Sequence, residues 1–303
     1  MLEKAGFALF FVSGNSKFKN VGGPMKLLTL NTHAWHEDEQ ERKISELAAF
    51  INERDFDLIA LQEVNQRADS EVAEGESLLK YIETEVGTVI RSDNYALLLL
   101  QQLDAPYYWT WLSTHGAYKG RYDEGVAVLS KQRITDTVYG YISELRDYNN
   151  YKTRRLLAVK TFSDESQSKP VWACSAHCGW WHDEEEPFRP QWDNAEQLLK
   201  PLRNSGDPVF LLGDLNNVAQ IRDEGYDYVL QKGWQDLHTM AKVKDEGSTI
   251  LKAIGGWENN KEPRRIDYIL CSQEIDTQKS EVVLDGKNGP VVSDHFGVAA
   301  EIQ

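Results

Sequence analysis

The chain has 303 residues, and 33 Lys and Arg against 48 Asp and Glu give a formal net charge of −15. Its 41% hydrophobic and 11% aromatic content is enough for a sizeable core, which excludes a disordered chain. No apolar run reaches the roughly 20 residues of a bilayer span, and the acidic balance argues against a non-specific nucleic-acid or anionic-membrane binder, both of which need a basic footprint.

Residues 1–24 read as an N-terminal extension ahead of a single domain, 25–303. Ala5 to Val12 is apolar and precedes Ser13 and Gly14, but Glu3 cancels Lys4, so the basic region of a signal peptide is missing. Lys26 to Leu30 then reads as a buried strand ending at Asn31. A helix is expected from about Asp38 to Arg54, because Ile44, Leu47, Ala48 and Ile51 recur at i, i+3, i+4 and i+7. Asp57 to Leu61 reads as a second strand that ends at Gln62-Glu63, followed by an acidic loop over 65–80. Tyr95 to Leu103 is expected to be helical with Leu97, Leu98 and Leu100 buried. Strands are expected at Val126–Leu129, Leu156–Phe162, Val171–Ala176, Val209–Leu212, Ile266–Cys271 and Val298–Ile302. A second amphipathic helix runs from Gln191 to Arg203, with Trp192, Ala195, Leu198, Leu199 and Leu202 on one side. Interleaved strands and helices without a repeat or linker predict one α/β domain with two packed sheets.

The polar residues concentrate where these strands end. Asn31, Glu63, His177, Asp214, Asn216, Asp267, Asp294 and His295 all sit at or near the end of an apolar run, where a rigid scaffold presents chemistry. Asp214 and Asn216 are two apart on an extended segment, so both face one side. A carboxylate and an amide facing one space can hold a water and a phosphoryl oxygen. Glu63 is a hard oxygen ligand suited to Mg²⁺. His295 has Asp294 beside it and Asp267 upstream, an imidazole with carboxylates to orient it.

Taken in order, the stretches Leu27-Leu28-Thr29-Leu30-Asn31, Leu61-Gln62-Glu63, Glu124-Gly125-Val126-Ala127-Val128-Leu129-Ser130, Ser175-Ala176-His177, Gly213-Asp214-Leu215-Asn216, Arg265-Ile266-Asp267-Tyr268-Ile269 and Ser293-Asp294-His295 resemble the endonuclease/exonuclease/phosphatase superfamily, the DNase I-like group. The resemblance spans residues 26–302. It implies a four-layer α/β/β/α sandwich of two mixed sheets flanked by helices, and Mg²⁺-dependent hydrolysis of a phosphate ester, with Mn²⁺ as a substitute. It also implies roles: Glu63, Asn31 and Asp294 at the metal, Asp214 on the attacking water, Asn216 and His177 on the phosphate, and Asp267 orienting His295. Arg154 falls where many relatives place an arginine near the site, although Arg155 is adjacent.

Two features outside that set bear on function. Cys174-Ser175-Ala176-His177-Cys178 has a zinc outline, but on a strand His177 points away from both thiols and no second Cys/His pair follows. Three cysteines make no disulfide framework, which fits a reducing cytoplasm. After His177 the chain continues Trp180-Trp181-His182-Asp183-Glu184-Glu185-Glu186. A Trp face suits a sugar ring and the acids repel a polyanion, so Trp180, Trp181 and His182 are candidate substrate contacts. This loop is similar to that of the maltose 6'-phosphate phosphatase group of the superfamily. The expected substrate is therefore a small sugar phosphate, with no nucleic-acid or membrane partner. The alternative is a phosphodiesterase, either a nuclease or a sphingomyelinase-like enzyme.

Overall fold

The computed structural model describes residues 23–303, so the proposed extension lies outside the described residues up to residue 22. Alternating side chains on each strand decide the architecture, because every second residue faces the same way. The first sheet has seven strands. In spatial order they are Val243–Lys244 (β10), Thr277–Val283 (β12), Gly297–Ile302 (β13), Met25–Asn31 (β1), Leu58–Arg67 (β2), Tyr122–Ser130 (β4) and Tyr108–Ala117 (β3). The second has six: Asp136–Tyr141 (β5), Arg155–Phe162 (β6), Pro170–His177 (β7), Val209–Asp214 (β8), Asp267–Cys271 (β11) and Gln235–Asp236 (β9). Both sheets are mixed. β1 pairs parallel with β2 and antiparallel with β13, while β7 pairs parallel with β8 and β8 antiparallel with β11.

Three apolar layers follow. Leu27, Leu58, Ala60, Val126 and Val128 of the first sheet meet Leu157, Val159, Ala173, Phe210, Leu212 and Ile269 of the second. The neighbouring residues Leu28, Leu30, Ile59 and Leu61 face outward, under helices Gln40–Arg54 (α1) and Tyr95–Leu100 (α2). On the far side Leu156, Ala158, Cys174 and Leu211 lie under helix Phe188–Asn204 (α3), through Trp192, Ala195, Leu199 and Leu202. Helix Gly225–Gln231 (α4) joins that layer through Tyr226 and Val229, and a short helix, Leu237–Met240 (α5), follows β9. The result is the α/β/β/α sandwich, a DNase I-like fold. Among the described residues no helix is long and apolar enough to cross a membrane.

Several expectations need correction. The second strand does not stop at Glu63 but runs on to Arg67, so residues 65–67 are strand rather than loop. α2 ends at Leu100, and it buries Leu97 and Leu99 while Leu98 and Leu100 are half-buried. β3, β5, β12 and the two-residue strands β9 and β10 are not expected from the sequence. β5 has no buried residue, and β12 opens on polar Thr277-Gln278-Lys279-Ser280, so neither offers a continuous apolar run.

Candidate active site

The site forms where strands of the two sheets end side by side. Asn31 closes β1 opposite Gln62 of β2. His177 closes β7 opposite Asp214 of β8, and Asp267 opens β11 opposite the same Asp214. Gly213 is required here, because any Cβ would strike the Ala176 carbonyl of the neighbouring strand. Glu63 is aimed by a β-bulge. β2 and β4 pair Leu61 with Ala127 and then Val64 with Gly125, so Gln62 and Glu63 oppose the single residue Val126. Glu63 takes a left-handed φ of 50°, and Asn216 one of 51°. Such conformations cost on the order of 1 kcal/mol each and gather at functional sites. A second irregularity lies across β4, where β3 pairs Ser113 with Gly125 and His115 with Glu124, leaving Thr114 extra.

Asp214 is the hub. Its Oδ2 accepts from Asn31 Nδ2 at 3.2 Å and lies 3.4 Å from Asn216 Nδ2, 3.7 Å from His177 Nε2 and 3.8 Å from His295 Nε2. Its Oδ1 accepts from the Asn216 backbone N–H at 2.8 Å. His295 Nδ1 faces the two oxygens of Asp267 at 3.0 and 3.2 Å. A carboxylate accepts only, so that ring nitrogen carries a proton and Nε2 points at Asp214. Asn31 Nδ2 also donates to Glu63 Oε1 at 2.9 Å, and its Oδ1 accepts from the His33 N–H at 3.1 Å. Asn31 thus holds the Glu63 and Asp214 carboxylates through its NH₂, while its oxygen is engaged by the backbone. Asp294 is tied in through Ser293, whose hydroxyl donates to the Asn31 carbonyl at 2.7 Å.

The electrostatics separate the groups. Burial lowers the His295 pKa, but the charges of Asp267 and Asp214 outweigh it and push the group up to about 10, so it is an imidazolium at neutral pH. Burial, with Arg154 and His295 adding to it, holds His177 well below the usual imidazole range. His177 is therefore neutral, and only one of the two imidazoles can offset phosphate charge as a cation. Burial and Asp267 raise Asp214 to about 7. Burial and Glu124 raise Glu63 to about 7, and Asp294 adds to the crowding. Carboxylates packed this closely carry surplus negative charge. Together with the hard oxygen donors of Glu63 and Asp294, that surplus fits a divalent cation. Side-chain exposure of 20% at both Glu63 and Asp294, against 1% at Asp214, puts the open side of the site there.

The other expected residues fall in different places. Arg154 is buried, with Nη1 4.0 Å from Glu124 Oε1 and no hydrogen bond at Nε, and its charge acts on His177. The adjacent Arg155 instead forks onto Glu85 at 2.7 and 3.0 Å. Trp181 packs on the outer core beside Phe188 and Tyr228. Trp180 lies against Gly256, where a Cβ would strike its ring. His182 is 79% exposed and pairs with Glu224 at 3.0 Å. The acids after it are mostly tied down. Asp183 accepts from Lys152 Nζ at 2.8 Å and from the N–H groups of Glu185 and Glu186. Glu186 is buried and accepts from the N–H groups of Glu144 and Leu145. The loop is therefore fastened to segment 144–152 and does not line the site with free carboxylates. Cys174 and Cys178 are free thiols buried in the outer core, and Cys271 is a buried free thiol as well.

Four residues near the site were not among the expected ones. His33 sits between Glu37, at 2.7 Å, and Asp294, at 3.7 Å. Burial lowers its pKa, but hydrogen bonding to Glu37 and the charges of Asp294 and Glu63 raise it overall. Its place two residues after Asn31 was the available signal. Glu124 and His115 form a buried pair at 3.1 Å. Burial opposes ionisation of Glu124, yet His115 and Arg154 hold its pKa below the usual range. Trp257 donates its indole N–H to Asn216 Oδ1 at 2.8 Å, and nothing in its local sequence announces that role.

The fold and this strand-end cluster define a phosphoesterase-like α/β protein, and the family comparison agrees. The model of the Endonuclease/Exonuclease/phosphatase family matches residues 20–295, and the chain belongs to that family. It is thus an enzyme of the metal-dependent phosphatase and phosphodiesterase class. A family member from Leptotrichia buccalis is 33% identical, superposes with a TM-score of 0.79, and is matched over 92% of this chain and 99% of its own. A mannosyl-6-phosphatase from Bacteroides thetaiotaomicron has the same fold at 14% identity, with a TM-score of 0.65 over 92% and 99% of the two chains. The human nocturnin catalytic domain does so at 15% identity, with a TM-score of 0.62 over 93% of each chain. No curated protein matches the chain in sequence.

Proposed function

We propose that this protein is a Mg²⁺-dependent phosphoric ester hydrolase, with Mn²⁺ as a substitute, and that it removes phosphate from a small sugar phosphate such as maltose 6'-phosphate. The observation that carries the hydrolytic reading is the convergence on Asp214 Oδ2 of Asn31, His177, Asn216 and His295. In this reading Asp214 holds the attacking water and takes its proton, and a carboxylate poised near 7 suits a base at neutral pH. Asp267 keeps His295 protonated, so its Nε2–H donates to a non-bridging phosphoryl oxygen. The Asn216 amide, neutral His177 and Arg154 supply the remaining donors around that group. A bound Mg²⁺ supplies charge compensation on the phosphoryl oxygens, and Glu63 with Asp294 would hold it while Asn31 orients Glu63.

The sugar-phosphate part rests on other observations. A net charge of −15 disfavours a polyanion. Glu184 and Glu185 remain exposed in the loop that follows His177. The mannosyl-6-phosphatase and this chain have the same fold. Free buried thiols fit a reducing compartment, the cytoplasm. The test is a hydrolysis panel with Mg²⁺ at physiological salt, covering sugar phosphates, mononucleotides, inositol phosphates, plasmid DNA and sphingomyelin. The expected result is that a hexose or disaccharide phosphate exceeds DNA in kcat/KM. A better rate on plasmid DNA or sphingomyelin replaces this reading with the phosphodiesterase one. No hydrolysis with Mg²⁺ or Mn²⁺ overturns both.

A further inference from the structure

The loop between residues 250 and 264 is built, not slack. Its ends pair as an antiparallel bridge between Ile250 and Arg264. Inside it Asn260 donates to the carbonyls of Lys252 at 3.2 Å and Glu262 at 2.8 Å, and accepts from Arg264 Nε at 2.6 Å. Ile250 and Ile254 form a small apolar cluster with Val218 and Ile266, and Trp257 packs on it. The turn before Trp257 needs glycine. Gly256 has a φ of 76°, and its Cα faces the Trp180 ring so closely that a Cβ would overlap it. Trp180 therefore props the turn, and the turn delivers Trp257.

What Trp257 meets is one specific atom. Its indole N–H donates to Asn216 Oδ1 at 2.8 Å. An indole can only donate, so this contact requires the amide oxygen on the Trp257 side and the NH₂ on the other. The NH₂ then donates to the Cys178 carbonyl at 3.0 Å and faces His177 Nε2 at 3.2 Å and Asp214 Oδ2 at 3.4 Å. A flipped amide would set its oxygen against the Cys178 carbonyl and the Asp214 carboxylate, acceptor against acceptor. We propose that Trp257 is a positioning residue that holds the Asn216 amide with one N–H on the Cys178 carbonyl and the other toward the His177 and Asp214 side, where the phosphoryl group would react, and that Trp180 acts through Trp257 by propping its turn. The assignment of Asn216 to the phosphate rests on the hydrolytic reading above, whereas the link from Trp257 to Asn216 does not.

Two measurements on the full chain test this separately. In a ¹⁵N spectrum of the indole N–H groups, the Trp257 signal is the one lost in Trp257→Phe. It should move in Asn216→Ala, and an unmoved signal would overturn the link whether or not the protein is active. The second is a double-mutant cycle on 4-nitrophenyl phosphate with Mg²⁺. One neutral hydrogen bond is lost while the Cys178 carbonyl still favours the same orientation. Trp257→Phe should therefore lower kcat about five- to tenfold with KM nearly unchanged. Gly256→Ala should do the same by displacing the turn. In an Asn216→Ala background neither change should cost more. Losses that multiply in that background, or full activity in Trp257→Phe, would contradict the proposal. If native protein hydrolyses no phosphate ester, the hydrolytic reading fails and the spectrum alone decides the link.

Discussion

Two acid-rich regions adjoin His177, and they behave in opposite ways. At the strand ends Glu63 and Asp214 are crowded by other carboxylates, and burial pushes both up to about 7. In the loop after His177, burial would raise Asp183, but the Glu186 amide, the Lys152 ammonium and the Glu185 amide hold it below the usual carboxylate range. Glu186 is likewise consumed by two backbone N–H groups. The first region has charge left over for a cation, a water and a phosphate. The second has spent its charge fastening a loop. Adjacency in sequence to a strand-end histidine thus says little about acids; whether their oxygens are already paired says more.

That contrast can be broken by substitution. Asp214→Asn keeps the shape of the hub and removes its charge, so turnover should fall at least about 10²-fold, a general-base effect. A change confined to KM would show that Asp214 binds rather than activates. The next effect is on pH dependence. His295 is protonated below about 10 and loses its charge above that, so activity should fall on the alkaline side there. Below about 7 both Asp214 and Glu63 take up protons, which together give the acid limb. Asp267→Asn removes the charge that holds the imidazolium, so the alkaline limb should move to lower pH by at least about one unit. An unmoved limb would assign it to another group. The smallest effect on catalysis should come from the fastened loop. Glu186→Gln weakens two buried acceptor contacts and should cost stability on the order of 1–3 kcal/mol by denaturant titration. Its kcat should stay within about twofold of native. A loss of turnover as large as that of Asp214→Asn would erase the distinction between the two regions.

Much of the framework could be read in advance, because an apolar run followed by a polar residue is a local pattern. The ends of β1, β7 and β8 are marked this way by Asn31, His177 and Asp214, while Asp267 opens β11 ahead of its apolar run. The order of those motifs carried the family and with it the sandwich. Non-local geometry was hidden. Asn31 and Asp214 are 183 residues apart, and only the packing of one sheet on the other joins them. The bulge that turns Glu63 inward interrupts a strand that the sequence presents as ended. β3 carries His115, but Tyr108-Trp109-Thr110-Trp111 mixes aromatics that could have served any buried element. Trp257 lies in a stretch of Gly, Asn and Lys that reads as ordinary turn, and its partner is 41 residues away. The loop at Trp180 is a further case, since Lys152 and the Glu144 and Leu145 amides that engage Asp183 and Glu186 come from a different part of the chain.

The central claim is that the crowded carboxylates at the strand ends exist to hold a divalent cation for phosphate-ester hydrolysis. Calorimetric titration of Mg²⁺ into the native protein and Glu63→Ala, across pH 5.5 to 8.5, tests it directly. Glu63 must be ionised to bind a metal, and its pKa is raised to about 7. The account predicts that native affinity rises with pH up to about 7 and then levels off. It predicts that Glu63→Ala loses Mg²⁺ binding and Mg²⁺-supported hydrolysis together while keeping native thermal unfolding. Full Mg²⁺ binding or full activity in Glu63→Ala, or undiminished native activity in excess chelator, would contradict it.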